Sequence, residues 1–200
     1  MKKKRVNPVP YFIIVTGTPG TGKTTISKKL SKDLGIKHIE LTRFAEDYGL
    51  VIEKDLQRET NVVDMWRLFD IIEEMLRKNR EPIVLDGHFA HEFNSTNYDT
   101  FVFVLRRAPW DLYDTLKERG YSTEKIWENV ESEIMGVCSE ETRENYDKIC
   151  EVDTTPHTIE ETVEKIKRVI KTKDSCSEEH IDWLTNEKTM YLLQDRGRCI

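Results

Sequence analysis

The stretch YFIIVTGTPGTGKTTISKKL at residues 11–30 constrains this chain more than any other. A run of apolar and β-branched residues, typical of a buried strand, leads directly into a loop that contains three glycines and a proline. Gly17, Gly22, Lys23 and Thr24 fit the pattern G-x-x-x-x-G-K-[ST], in which backbone N–H groups surround phosphate oxygens. The residues that follow have helical spacing, and a helix that begins at such a loop directs the positive end of its dipole at the same anion. The sequence therefore predicts a phosphate-binding loop between a strand and a helix.

The bulk properties limit the class of protein. Two hundred residues, of which 38% are hydrophobic, suffice for one α/β domain with a proper core. A net charge of -6 argues against stable nucleic-acid binding through bulk electrostatics. No apolar run approaches the roughly 18 residues of a membrane helix, and the basic start lacks the apolar region of a signal peptide. We expect a cytoplasmic protein that does not enter a membrane.

Strand and helix patterns alternate along most of the chain. Strands are expected at 12–16, 37–40, 82–86, 100–105 and 149–153, and helices at 23–34, 42–48, 62–79, 108–119, 123–146 and 158–171. This alternation predicts an α/β fold with a doubly wound parallel sheet flanked by helices, which binds ligands at the carboxyl ends of its strands.

Two units are expected along the chain. Residues 1–173 form the α/β domain, and residues 174–200 form a separate helix. Ser175 and Glu178 have the spacing of a capping box at the start of that helix.

The strand that ends at Asp86 carries the second group of interest. In proteins with this kind of loop, a carboxylate at a strand end holds Mg²⁺, usually through water, while the loop hydroxyl of Thr24 binds the ion directly. His88 follows within reach of the γ-phosphate region, where an imidazole can orient water or transfer a proton. The structural alternatives are a turn-forming aspartate and a histidine that only bonds to Asp86 or to a backbone carbonyl.

Basic residues surround a glycine joint between two helices at 118–128. Arg119 and Lys125 lie beside this joint, which suits a lid that closes over a migrating phosphoryl group. Solvated charges on a helix connection are the alternative. Arg106 and Arg107, at the end of a strand, either reach phosphate or lie on the surface at a helix entry.

Together these motifs resemble the adenylate kinase isoenzyme 6 family. The resemblance is carried by TGTPGTGKTT at 16–25, the triplet DGH at 86–88 and RGY at 119–121, and it covers residues 11–170. It implies a short-lidded P-loop NTPase fold and a broad-specificity nucleoside monophosphate kinase with ATPase activity, which uses ATP and Mg²⁺. It also implies transient binding to a platform protein of the small ribosomal subunit during maturation of that subunit.

The motifs and the resemblance together predict the site residues. Lys23, Asp86, His88 and Arg119 are the catalytic residues, and Thr24 and Asp86 are the metal-binding ones. The ATP-binding residues are Gly20, Gly22, Lys23, Thr24, Thr25 and Arg119. The acceptor, a nucleoside monophosphate, is expected at 43–66, where Asp64 matches the family and Arg43 and Arg58 are the candidate substitutes for the basic residue that the family usually has.

The acceptor region is where the chain departs from the family. Glu46 stands at a position where the family usually has a basic residue, and Glu53-Lys54-Asp55 replaces Gly-Tyr-Asp. Two other readings therefore stay open: another small-molecule kinase of the same fold, and an assembly switch in which ATP hydrolysis times the release of a protein partner. A signalling GTPase is disfavoured, because no Asn-Lys-x-Asp guanine-reading motif is present.

Overall fold

A computed structural model describes residues 11–55, 60–79, 81–95, 98–173 and 180–198. The described strands are β1 (Tyr11–Thr16), β2 (Lys37–Glu40), β3 (Val51–Asp55), β4 (Thr60–Val63), β5 (Ile83–Asp86), β6 (Asp99–Arg106) and β7 (Cys150–Asp153). The described helices are α1 (Lys23–Leu34), α2 (Leu41–Asp47), α3 (Met65–Asn79), α4 (Pro109–Glu118), α5 (Thr123–Ile134), α6 (Val137–Asn145), α7 (Ile159–Thr172) and α8 (Glu187–Arg198). Within these ranges, no helix is long and apolar enough to cross a membrane.

Five strands form a parallel sheet in the order β2-β5-β1-β6-β7. Alternate residues of the central strand β1 face opposite helix layers: Phe12 and Ile14 pack with residues of α2 and α3, while Ile13 and Val15 pack with residues of α1 and α7. Each fully buried aliphatic side chain of this kind contributes about 1.5–3 kcal/mol. The predicted doubly wound α/β fold is confirmed.

The carboxyl ends of the three central strands bring the predicted groups together. The phosphate loop follows β1, Asp86 ends β5 and Arg106 ends β6, and the register pairs Val15 with Asp86. Because these strands are parallel and adjacent, all three chain segments meet at one edge of the sheet. This edge is the candidate site.

The expected single helix over 123–146 is wrong, because the chain forms α5 and α6 instead. Gly136 separates them in a left-handed conformation, with φ of 66°, which a glycine adopts readily. Gly136 also faces the guanidinium of Arg106, and a Cβ atom there would lie 3.7 Å from its Nη1 atom. The break therefore lets both helices approach Arg106.

The expected helix start at residue 62 is also wrong. Val62 and Val63 belong to β4, which pairs antiparallel with β3 in a separate two-stranded sheet. Helix α3 begins at Met65, and Asp64 Oδ1 accepts a hydrogen bond from the N–H of Arg67 at 3.0 Å. Strand pairing thus overrides an apolar pattern that the sequence alone assigns to the helix.

The helix in the C-terminal region is shorter than predicted. Residues 180–186 are not helical, and the carboxylate of Asp182 accepts hydrogen bonds from the backbone N–H groups of Leu184 and Thr185. Helix α8 begins only at Glu187. The predicted capping box of Ser175 and Glu178 lies outside the described residues.

Candidate active site

The phosphate loop has the backbone geometry that its glycines predict. Gly17 has φ of 135°, and a Cβ atom there would lie 2.3 Å from the carbonyl oxygen of Leu105, so only glycine fits. Gly20 and Gly22 have φ of 97° and 96°. Gly22 is the N-cap of α1 and has no side chain to offer, so the first N–H groups of the helix are left for a ligand. The loop is built to receive an anion.

Lys23 spans this loop from the first turn of α1. Its Nζ atom donates hydrogen bonds to the carbonyl oxygens of Gly17 and Thr18, at 2.7 and 3.0 Å. Burial lowers the pKa of Lys23 to about 8, although the carboxylates of Asp86 and Glu133 act in the opposite direction. A phosphate group bound in the loop would supply negative charge that favours the protonated ammonium.

The two threonines that follow Lys23 lie on the first turn of α1. Thr24 is half-buried and Thr25 is exposed. Both positions are next to the loop that the lysine spans, which is the placement that the motif predicts.

Asp86 is fully buried at the end of β5. Its Oδ1 atom lies 2.5 Å from Nε2 of His38, while its Oδ2 atom has no hydrogen-bond partner among the described residues. A buried carboxylate oxygen without a partner is rare and marks a place for a cation or an ordered water. Together with the Thr24 hydroxyl it offers the oxygen ligands that Mg²⁺ prefers.

His38 is a site residue that the sequence did not reveal. It lies on β2, which was predicted as a strand, but nothing in the sequence indicated that β2 would pair with β5. That pairing places Glu40 opposite Asp86 and brings the His38 ring to the carboxylate.

His88 lies half-buried between the phosphate loop and α6. Its Nδ1 atom is 3.4 Å from the carbonyl oxygen of Gly17 and 3.6 Å from Sγ of Cys138. Burial, and next the positive charge of Lys23, lower the pKa of His88 below its ordinary value. The imidazole is therefore mostly neutral near pH 7 and offers a proton acceptor or donor according to its tautomer.

The predicted lid region lies where α4 turns into α5. Arg119 is exposed at the end of α4, and the ammonium of Lys125 lies over the ring of Tyr121, 5.2 Å from its centre. The charge of Arg119 is among those that lower the pKa of Lys23, so the two cations act on the same region. A phosphate between them would relieve their repulsion.

The acceptor residues are dispersed. Arg43 lies on α2 with 75% of its side chain exposed, and it borders a cleft of about 390 Å³ that His38 and Tyr48 also line. Asp64 instead caps α3, as described above. Arg58 lies outside the described residues.

Arg106 does not reach phosphate or lie on the surface, so both expectations for it are wrong. It is 1% exposed, and its guanidinium forms salt bridges with Glu133 at 2.8 Å and Glu151 at 3.1 Å. A strand that is buried on both faces leaves its terminal arginine inside the protein, where it requires carboxylate partners. Glu133 also accepts a hydrogen bond from the hydroxyl of Thr18 in the phosphate loop, a link that the sequence did not suggest.

A parallel sheet whose first strand runs into such a loop, with a buried carboxylate at the end of the neighbouring strand β5, defines a P-loop α/β protein. The model of a family described as "AAA domain" matches residues 13–136. A shikimate kinase from Acinetobacter baumannii has the same fold, with a TM-score of 0.56 and 15% identity over 84% of this chain and 96% of that chain.

Two archaeal relatives are closer in sequence. A Methanocaldococcus jannaschii protein named "Putative adenylate kinase" is 39% identical over 181 residues, which cover 88% of this chain and 98% of that protein. A Saccharolobus solfataricus protein of the same name is 37% identical over 193 residues, which cover 94% of this chain and 96% of that protein. The chain belongs to the adenylate-kinase-like family of these relatives.

Proposed function

We propose that the protein is a broad-specificity nucleoside monophosphate kinase of the adenylate kinase type, which also hydrolyses ATP. The observation that carries this proposal is the arrangement at the sheet edge, where the phosphate loop meets Asp86 and its unpartnered oxygen. Arg119 acts on the same region, and an open cleft beside Arg43 leaves room for a second substrate. The family relationship supports a nucleotide as that substrate.

In this proposal the ATP phosphates bind to the loop amides of Gly20 and Gly22. Lys23 exchanges its hydrogen bonds to the carbonyls of Gly17 and Thr18 for phosphate oxygens. The developing charge in the transition state is spread over these oxygens, so a fixed ammonium and fixed N–H groups lower the barrier.

Thr24 and Asp86 would hold Mg²⁺, which neutralises charge on the β- and γ-phosphates when bound. No group of three or more His, Cys, Asp or Glu side chains suited to a metal ion occurs in the part of the chain that the structure describes. This composition fits an ion that takes most of its ligands from phosphate and water.

Arg119 and His88 favour different acceptors of the phosphoryl group. Closure of the lid brings Arg119 over the phosphates and excludes water, which favours transfer to a nucleotide. With the lid open, the neutral imidazole of His88 orients water for hydrolysis.

A second candidate function is an assembly switch in maturation of the small ribosomal subunit. Two exposed apolar side chains, Trp66 at 88% and Ile52 at 68%, favour a protein-binding role for the acceptor region. The net charge of -6 suits a basic platform protein of that subunit as a transient partner. Such binding should weaken as salt rises, and pull-downs at low salt that recover no ribosomal protein would remove this candidate.

ATP labelled in its γ-phosphate separates the two functions. With AMP, CMP, GMP or UMP present, a kinase moves most of the label to a nucleoside diphosphate. A switch releases the label as phosphate at a rate that none of the monophosphates changes. That second result would overturn the kinase proposal.

A further inference from the structure

Glu133 joins three parts of the molecule. It is 1% exposed, on α5. Its Oε2 atom accepts a hydrogen bond from Thr18 Oγ1 in the phosphate loop at 2.5 Å. Its Oε1 atom accepts from Arg106 Nε at 2.8 Å, from the backbone N–H of Arg107 at 3.1 Å and from the indole N–H of Trp183 at 3.1 Å. One carboxylate thus connects the C-terminal segment to the loop.

Residues 180–198, here called the strap, lie across the helix pair that bears Arg119. Trp183 is buried edge-on against Trp110 of α4, with ring centres 5.9 Å apart. Lys188 lies over the ring of Trp110 at 5.1 Å, and Arg196 lies over the ring of Trp127 of α5 at 5.1 Å. The strap therefore contacts both helices of the lid region.

The backbone of the strap has a second attachment to the same buried network. The N–H of Ile181 donates to Glu151 Oε2 at 2.8 Å, and the carbonyl oxygen of Ile181 accepts from Arg106 Nη1 at 3.2 Å. Removal of one partner from a buried ionic network leaves the others under-compensated, so the network depends on the strap for its full set of hydrogen bonds.

We propose that the strap holds the phosphate loop in its binding conformation, with Trp183 as a positioning residue that acts on Thr18 through Glu133. When the indole donor is lost, Oε1 keeps only Arg106 and the Arg107 N–H as donors among the described residues, so the carboxylate is held less firmly in the orientation that accepts from Thr18 Oγ1. The carbonyl of Thr18 also accepts from Lys23, so the loop amides then converge in a smaller fraction of molecules. ATP affinity falls by that fraction. This inference rests on the proposed ATP site.

Trp183→Phe tests the proposal, because phenylalanine keeps a ring against Trp110 but has no N–H for Glu133. We expect the dissociation constant for ATP, measured by calorimetry, to rise at least about threefold, because only part of the roughly tenfold effect of losing a hydrogen bond to a charged group is transmitted to the loop. The KM for the monophosphate should not change. The matched control is Lys188→Met, which removes an outer strap contact and leaves Glu133 untouched, so ATP affinity should stay the same.

A double-substitution cycle with Thr18→Val separates positioning from general destabilisation. If both side chains act through Glu133, the double variant binds ATP within about twofold of the weaker single variant. Two effects that multiply independently would overturn the proposal. So would a folded Trp183→Phe variant with unchanged ATP affinity.

The unsubstituted protein gives a readout that requires no variant to fold. The indole N–H resonance of Trp183 should shift as ATP is added, and a resonance that stays fixed through saturation would contradict the proposal. If the unsubstituted protein binds ATP and the Trp183→Phe variant binds it equally well, the strap proposal is wrong but the proposed function is not affected. An unsubstituted protein that binds no ATP overturns both the strap and the proposed function.

Discussion

The phosphate side and the acceptor side of the candidate site are built differently. On the phosphate side, Thr18 and Asp86 are buried, and Lys23 already has hydrogen bonds to the loop. On the acceptor side, Arg43 is 75% exposed and Trp66 is 88% exposed. One half is fixed by the core, whereas the other presents adjustable side chains to solvent.

The difference suggests a division of labour. Groups that stabilise the transferring phosphoryl group gain most when they are held in place before the reaction. Groups that choose an acceptor lose more conformational entropy on binding, and they tolerate more than one partner. This contrast is consistent with the proposed broad acceptor specificity.

The largest effect is expected from Lys23→Ala. Loss of the ammonium removes its charge compensation from the phosphates, and turnover should fall by about a thousandfold or more. The circular dichroism spectrum should stay native, because the two hydrogen bonds that the Lys23 ammonium donates are to carbonyl oxygens of the loop and not to the apolar core. Lys32→Ala, an exposed lysine on the same helix, is the control and should retain full activity. Near-normal turnover in a folded Lys23→Ala variant would remove the phosphate-loop assignment.

Arg119→Ala should reduce phosphoryl transfer much more than ATP hydrolysis. Transfer to AMP is expected to fall by about a hundredfold, because the lid no longer excludes water, while basal ATP hydrolysis remains measurable. Lys117→Ala, at an exposed position on the same helix, should leave the ratio of transfer to hydrolysis unchanged. Equal losses in both reactions would argue against a lid.

His88→Ala should have the opposite selectivity. Hydrolysis without acceptor is expected to fall about tenfold, as for loss of a general base, while transfer to AMP is largely kept. Because the pKa of His88 is lowered, the neutral ring persists until the pH falls below its ordinary range, so hydrolysis should decline only on that acidic side. The variant should lack this decline. If both activities fall together, or neither changes, His88 is a structural residue of the loop.

The smallest effect is expected from Arg43→Ala on the exposed side. The KM for the monophosphate should rise about threefold, because an exposed cation contributes little in water, while the KM for ATP stays the same. Arg77→Ala, an exposed arginine at the far end of α3, is the control. A matching rise in the KM for ATP would show that the two halves are not separate.

The sequence predicted more of the phosphate side than of the acceptor side, because the residues that specify the phosphate loop are close together in the chain. The loop is specified by backbone constraints at Gly17 and Gly22 and by a single lysine, all within one short segment. By contrast, the contact of His38 with Asp86 depends on which strand pairs with β5. The hydrogen bond from Thr18 to Glu133 joins residues 115 positions apart, and no periodic pattern in the sequence predicts such a contact.

Competition between local patterns explains the errors in the elements. Val62 and Val63 suit a helix face as well as a strand, and only pairing with β3 decides between them. The helix break at Gly136 is explained by the guanidinium of Arg106, which lies close to this glycine. In both places a partner distant in sequence determines the local structure.

A bisubstrate analogue, two adenosines joined by five phosphates, tests the two-sided site most directly. Calorimetry should show one analogue per chain with much higher affinity than ATP, and a crystal structure should place one adenosine beyond the phosphate loop and the other beside α2 and the β3–β4 hairpin. An analogue that binds no more tightly than ATP, with its second adenosine in solvent, would contradict the proposed nucleoside monophosphate kinase activity.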